Sequence, residues 1–203
     1  MKKDYFLCLM AGLSTRMGTP KQHVKIYENT FLERIMKNFK NSETASAGCI
    51  FVGSPSDKVS QRFIEKENCI WLENPDPAPG PLTSIRIALS YMNSESGFWL
   101  WPVDFPLVKT ETFTKLLIAA EKLPDMIVIP SWQFKRGHPA RFPSWCRNHL
   151  MNGPLEKGAK YVLQNFPEKI QHIETDDNWV VENINTPETL QKAREIFQKP
   201  ELA

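Results

Sequence analysis

Tyr5-Phe6-Leu7-Cys8-Leu9-Met10-Ala11-Gly12-Leu13-Ser14-Thr15-Arg16-Met17-Gly18-Thr19-Pro20-Lys21 runs from a short apolar stretch straight into a glycine-bearing, cationic loop. An apolar strand that ends in such a loop is how α/β proteins build a phosphate site at a strand's carboxyl end. Gly12 lets the backbone approach a ligand closely, and Gly18 permits a turn that a Cβ would forbid. Arg16 and Lys21 place fixed positive charge where a triphosphate would lie. From Met1 to Lys25 the chain carries Lys2, Lys3, Arg16, Lys21 and Lys25 against the single acid Asp4, its most lopsided charge region.

Two common phosphate loops are excluded here. A Walker A loop needs a second glycine five residues after Gly12, where Met17 stands, and Gly18 is followed by Thr19. A dinucleotide fingerprint needs glycine two residues after Gly12, where Ser14 stands. A plain surface turn with solvated cations uses the same residue types, so the rest of the chain decides.

Working outward, short apolar runs alternate with helical patterns. Strands are expected near 5–10, 48–53, 69–72, 98–103 and 126–130, with helices near 30–40, 57–67, 82–93 and 110–123. Phe31, Ile35 and Phe39 recur at spacing four, one face of a helix. Thr110 followed by Glu111, Phe113, Leu116 and Leu117 reads as an N-cap, a first-turn acid and an apolar stripe. This alternation predicts a Rossmann-like, three-layer α/β/α fold with a mostly parallel central sheet. The last third reads as helices near 143–150 and 157–166, strands near 169–174 and 178–182, and a closing helix 187–198 opened by Thr186-Pro187-Glu188. Asn74-Pro75-Asp76-Pro77-Ala78-Pro79-Gly80-Pro81 is a stiff loop within the domain.

The 203 residues are expected to form one domain, 1–203, and a hydrophobic fraction of 41% suffices for its core. A net charge of +2, with no basic run interleaved with aromatics, argues against nucleic-acid and membrane partners. No stretch reaches spanning length, and the first apolar run is too short for a signal peptide. Cys8, Cys49, Cys69 and Cys146 are widely separated, read as core residues, and fit a reducing, cytoplasmic setting rather than a zinc site.

Four further segments could carry chemistry. Trp101-Pro102-Val103-Asp104-Phe105-Pro106 places an acid at the carboxyl edge of a buried strand. Magnesium favours one or two carboxylates plus phosphate oxygens, which suits Asp104, as does a role in capping the next turn. Gly80-Pro81-Leu82-Thr83-Ser84-Ile85 opens a helix whose N–H groups and hydroxyls could contact a base or ribose, or simply start a helix. In Arg136-Gly137-His138-Pro139-Ala140-Arg141-Phe142, His138 could hold an acceptor substrate or bond a backbone carbonyl. His23, His149 and His172 have no metal-ligand spacing and read as solvated. Asn183 and Asn185 share one face of an extended segment. Their oxygens can join an acid around magnesium or serve a turn.

Taken in order, these elements resemble one family. The run Leu9-x-Ala11-Gly12-x-Ser14-x-Arg16-Met17-Gly18-x-x-Lys21 is followed by Gly80-Pro81-Leu82-x-Ser84, Pro102-Val103-Asp104-x-Pro106 and Gly137-His138-Pro139. Asn183-x-Asn185-Thr186-Pro187-Glu188 closes the series. Together they look like the molybdenum cofactor nucleotidylyltransferases, of the nucleotide-diphospho-sugar transferase fold. The resemblance implies a Mg²⁺-dependent enzyme that joins an NTP to a phosphorylated acceptor at the α-phosphorus and releases pyrophosphate. It assigns catalysis to Lys21, Arg16 and Asp104. Nucleotide binding falls to Met10, Ala11, Gly12, Leu13, Ser14, Gly80, Pro81 and Ser84, acceptor binding to His138, and metal binding to Asp104, Asn185 and Asn183.

Substrate choice divides. Met10-Ala11-Gly12 and Gly137-His138-Pro139 lean toward cytidylyl forms. Gly80-Pro81-Leu82 and the Asn183-to-Pro187 segment lean toward guanylyl forms, so CTP is favoured slightly over GTP. Molybdopterin is the acceptor the family implies. Cytidylyl members often carry aspartates where Asn183 and Asn185 stand, which removes charge from the metal shell. Two alternatives follow: a non-catalytic nucleotide-binding accessory that serves a molybdoenzyme, and a sugar-phosphate nucleotidylyltransferase.

Overall fold

The computed structural model describes residues 3–12, 14, 16–42 and 45–197. Its backbone alternates as the sequence pattern requires. The first strand, β1 (Asp4–Leu9), is followed by a small hairpin, β2 (Lys25–Ile26) and β3 (Asn29–Thr30), and by α1 (Phe31–Asn41). Then come β4 (Ser46–Gly53), α2 (Lys58–Lys66), β5 (Ile70–Glu73), α3 (Pro81–Tyr91), β6 (Phe98–Pro102) and α4 (Thr110–Lys122). The remainder comprises β7 (Ile127–Trp132), β8 (Lys135–Arg136), β9 (Ala140–Phe142), α5 (Cys146–Asn152), α6 (Lys160–Asn165), β10 (Ile170–Glu174) and α7 (Pro187–Phe197).

Eight strands form one sheet in the order β10-β7-β9-β6-β1-β4-β5, with β8 paired to β7. The pairs β6–β1, β1–β4, β4–β5 and β7–β10 are parallel, whereas β9 is antiparallel to both β6 and β7. The mostly parallel α/β architecture is therefore the expected one. Strand alternation supplies its two cores. Phe6, Cys8, Phe51, Trp99 and Trp101 face α1 and α4, where Phe39 and Phe113 close an aromatic cluster. Leu7, Ile50, Val52, Phe98 and Leu100 face α3, α5 and α6. Strands buried on both faces read as near-continuous apolar runs, as β1 and β6 do.

The chain builds β1, β4 and β5 outward in one direction, then returns to place β6 on the other side of β1. Strand order reverses between β1 and β6, and such a reversal opens a crevice at the strands' carboxyl ends. Leu9 sits opposite Pro102 in the β1–β6 register, so Ala11 and Asp104 emerge at the same height.

Three local expectations need correction. Residues 178–182 are not a strand: Asn178–Val180 is a turn of 3-10 helix, closed by Asp177 Oδ1 accepting from Trp179 N at 3.1 Å. Thr110 does not cap α4. The cap position is Lys109, whose N–H donates to the buried Asp177 Oδ2 at 2.8 Å, while Thr110 Oγ1 donates to Asn38. The helix expected over 157–166 starts only at Lys160, because Gly158 at φ +58° closes a separate turn, Leu155–Lys157. No helix among the described residues is long and apolar enough to cross a membrane.

Candidate active site

A cleft of about 740 Å³ opens at the β1–β6 reversal. Met10, Ala11, Gly12 and Ser14 line it from the loop after β1, and Gly80, Pro81 and Ser84 from the start of α3. Lys21, Asp104 and His138 line it too. A Cβ built on Gly12 would meet nothing within 4 Å, so this backbone faces open space. Gly18 is in the left-handed region, at φ +64°, as its turn requires. Leu13 lies outside the described residues.

Lys21 and Asp104 are 83 positions apart in sequence and meet here. Lys21 Nζ donates to Asp104 Oδ2 at 2.8 Å, with the two side chains 12% and 28% exposed. Each is fixed by its backbone. Val103 N donates to Leu9 O at 3.0 Å, and Ile184 N donates to Asp104 O at 2.8 Å. Lys21 starts a turn of 3-10 helix, Lys21–His23, and its N–H donates to Ser14 Oγ at 3.2 Å. The next two side chains bind Asp57: Gln22 Nε2 donates to Oδ2 at 2.6 Å, and His23 Nε2 lies 3.0 Å from Oδ1. Asp57 also caps α2 through Ser60 N at 3.1 Å. Burial alone would raise the Asp57 carboxyl, but hydrogen bonds from Gln22 and Ser60 and the His23 charge hold it below its ordinary value.

Asp104 Oδ1 has no protein partner among the described residues. Cys8 lies behind Asp104 in the core. Burial, reinforced by the Asp104 charge, pushes its thiol well above the ordinary range, so it is an inert packing group.

His138 lines the cleft with its Nδ1 3.3 Å from Leu100 O and its ring 4.8 Å from that of Phe105. Burial pulls its pKa down to about 4, against the raising effects of Leu100 O and Asp104. The imidazole is therefore neutral near pH 7. With Nδ1–H donating to Leu100 O, Nε2 is left as an acceptor. Gly137 is required here: a Cβ would come within 2.3 Å of Val180 O, and His138 N donates to that oxygen at 2.7 Å.

At the start of α3, Asn74 Nδ2 donates to Thr83 Oγ1 at 2.9 Å and to Ser84 Oγ at 2.8 Å. Thr83 then donates to Gly80 O at 2.8 Å, whereas the Ser84 hydroxyl proton remains available toward the cleft.

The structure does not bring every candidate to the cleft wall. Arg16 is exposed and does not line it. Asn183 and Asn185 do not line it either, although they flank Ile184, whose N–H grips Asp104 O. Neither asparagine amide has a side-chain partner among the described residues. Two histidines read as solvated are engaged: His23 with Asp57, and His149 against the rings of Trp145 and Phe166. His172 is exposed.

Sequence reasoning missed the cleft floor of Leu100, Ile129, Ala140 and Phe142, and the cations Arg136, Lys157 and Lys160 at its border. Gly153-Pro154, between the two expected helices, and Gly158, inside the second, were the available signals for the border.

Among the described residues no group of three or more His, Cys, Asp or Glu is placed to hold a metal. The Asp104 carboxylate, with one oxygen unpartnered among the described residues, nevertheless suits a magnesium ion. Such an ion takes its other ligands from phosphate and water.

Residues 6–173 match the family model of the MobA-like NTP transferase domain. The molybdenum cofactor cytidylyltransferase of Escherichia coli K12 is 25% identical over 190 residues, which is 92% of this chain and 93% of that protein. Among solved structures, Rv0371c from Mycobacterium tuberculosis H37Rv superposes with a TM-score of 0.79 at 18% identity, covering 96% of this chain and 99% of that one. Molybdopterin-guanine dinucleotide biosynthesis protein A from Archaeoglobus fulgidus does so with a TM-score of 0.71 at 19% identity, covering 96% and 98%.

Proposed function

The chain belongs to the MobA-like NTP transferase family and is a nucleotidyltransferase, and from that premise we propose that its residues 1–203 act as one Mg²⁺-dependent domain in molybdenum cofactor maturation. Its donor is CTP in preference to GTP, and its acceptor is the phosphate of molybdopterin. One observation carries the reading: Lys21 Nζ and Asp104 Oδ2, 2.8 Å apart, converge in a cleft at the sheet's reversal point. The cytidylyltransferase relative and Met10-Ala11-Gly12 favour CTP. The apolar floor favours a flat acceptor over a sugar, because each sugar hydroxyl left unpaired there would cost about 1–3 kcal/mol.

A phosphate monoester is already a nucleophile, so no strong base is needed. Its oxygen forms a bond to the α-phosphorus, the bond from that phosphorus to the bridging oxygen breaks, and the electron pair leaves with pyrophosphate. Positioning and charge neutralisation are what the residues must supply. Backbone at Ala11 and Gly12 reads the base edge, and the Ser84 hydroxyl donates to base or ribose. Lys21 neutralises the α-phosphate as the bond breaks, and Arg16 adds positive charge from the outer side of the same loop. His138 accepts a proton-bearing group of the acceptor at Nε2. Asp104, through its free oxygen, would hold Mg²⁺ with Asn185 or Asn183 nearby. When bound, the ion supplies charge neutralisation across the phosphate oxygens. The four cysteines are buried core residues, which suits the cytoplasm.

The test is pyrophosphate release from CTP and GTP, with Mg²⁺ and molybdopterin present. Release that requires all three components supports transfer. Nucleotide binding with no release supports the accessory reading, which the neutral asparagines beside Asp104 favour.

A further inference from the structure

A second set of cations borders the cleft and has no part in the chemistry above. Arg136 comes from β8, Lys157 from the turn before α6, and Lys160 from the first residue of α6. They reach the cleft from a different side than Lys21. The Lys21 turn is bound to the cap of α2, on the Phe39 side of the sheet. The turn that bears Lys157 packs on α3, on the Leu100 side.

The lysine-bearing turn is a built feature. Gly158 closes it at φ +58°, with Gly158 N donating to Leu155 O at 3.2 Å. It seats on the start of α3: a Cβ on Gly158 would lie 3.6 Å from Pro81 Cγ, and one on Gly80 would lie 3.5 Å from Leu155 O. Arg86 of α3 grips the chain just upstream, donating to Leu150 O and Gly153 O. Lys157 and Lys160 therefore project from a fixed backbone beside the loop that the nucleotide reading uses.

Among the described residues none of the three cations has a carboxylate partner, and Glu156 is the acid on the same border. A lone exposed lysine is a solvated side chain. Three unpaired cations from separate elements around one cleft repel each other and focus a positive potential inside it. An anion relieves that repulsion.

We propose that Arg136, Lys157 and Lys160 form an anion subsite for the phosphomonoester of the acceptor, separate from the triphosphate cradle of Lys21 and Asp104. The acceptor role rests on the nucleotidyl-transfer reading, whereas the anion site itself does not. Phosphate held there has Leu100, Ile129 and Phe142 beneath the rest of the acceptor.

The probe is inorganic phosphate, titrated into the whole protein and followed by ³¹P NMR line width, with and without saturating CTP. The comparison variant is Lys157→Gln with Lys160→Gln. Both side chains are exposed, so the fold is kept, and an unchanged Tm checks this. Each lost charge-assisted hydrogen bond should weaken phosphate binding about tenfold, and CTP should not displace the phosphate. Three results overturn the subsite: no phosphate binding by the wild type, equal affinity in the variant, or displacement by CTP. With molybdopterin as acceptor, the variant should raise the acceptor KM at least about tenfold and leave the CTP KM within about twofold. A wild type that binds phosphate yet transfers nothing removes the transfer reading and leaves the subsite. Transfer with an unchanged acceptor KM in the variant does the reverse.

Discussion

Asp57 lies outside the cleft, yet its replacement by alanine should reach the chemistry. The carboxylate accepts from Gln22 Nε2 at 2.6 Å and from Ser60 N at 3.1 Å, and faces His23 Nε2 at 3.0 Å. Asp57→Ala removes the α2 cap, at a cost of about 1 kcal/mol. It also leaves Gln22 Nε2 unpaired in a side chain only 4% exposed, which costs about 1–3 kcal/mol. The sum is about 2–4 kcal/mol, and for a protein of this size that lowers Tm by about 5–15 °C. The loss should also loosen the turn that carries Lys21. A displacement of about 1 Å in a catalytic group can cost as much as about 100-fold, so kcat for pyrophosphate release should fall at least about tenfold. Acid should act on the wild type in the same direction. The Asp57 carboxyl is held below its ordinary value, so its contribution is present above the usual carboxylate range and is lost as pH falls through the lowered pKa. Calorimetry gives the first quantity, and pyrophosphate release well below the variant's Tm gives the second. A variant with lowered Tm and wild-type kcat would refute the link from Asp57 to Lys21.

Arg141→Met should lower stability by about 3 kcal/mol, because the half-buried Asp4 and three carbonyls would lose the partner they share. Arg141 Nε donates to Asp4 Oδ2 at 2.6 Å and Nη1 donates to the carbonyls of Leu123, Pro124 and Met126. The pair sits at the amino end of β1, away from the cleft, so calorimetry should register the loss while the CTP KM holds. For His138 the folded pKa of about 4 lies below the ordinary 6.5. The native state therefore binds fewer protons than the unfolded chain between those values, and stability should fall by about 3 kcal/mol as pH drops across that window. His138→Asn should lack that limb in urea unfolding curves. An identical pH slope in both proteins would mean that His138 is not held neutral by burial.

The sheet was legible because its central strands are buried on both faces. Tyr5 to Met10 and Phe98 to Val103 are apolar in unbroken runs, and the helices between them carry their stripes at regular spacing. Strands β8 and β9, of two and three residues, are too short to show a period, and they hold Arg136 and lead from His138. The place of Asp104 at the cleft was legible because a polar residue at the end of a buried strand is conspicuous. Asp57 and Asp177 did not stand out. Both look like ordinary turn acids in sequence, and only tertiary contact shows that one serves Gln22 and the other Lys109. The 157–166 segment was misread because its apolar spacing outweighed Gly158, whose left-handed backbone breaks the helix. Arg16, Asn183 and Asn185 carry the right chemistry in sequence, but their side chains stand off the cleft wall.

Asp104→Asn is the most direct measurement of whether this cleft transfers nucleotides. The substitution keeps the shape and removes the charge that faces Lys21. With CTP, Mg²⁺ and molybdopterin, pyrophosphate release should fall by about 100-fold or more, in a protein whose Tm stays within a few degrees of the wild type. Release at the wild-type rate from that variant would contradict the assignment of the reaction to the Lys21–Asp104 pair.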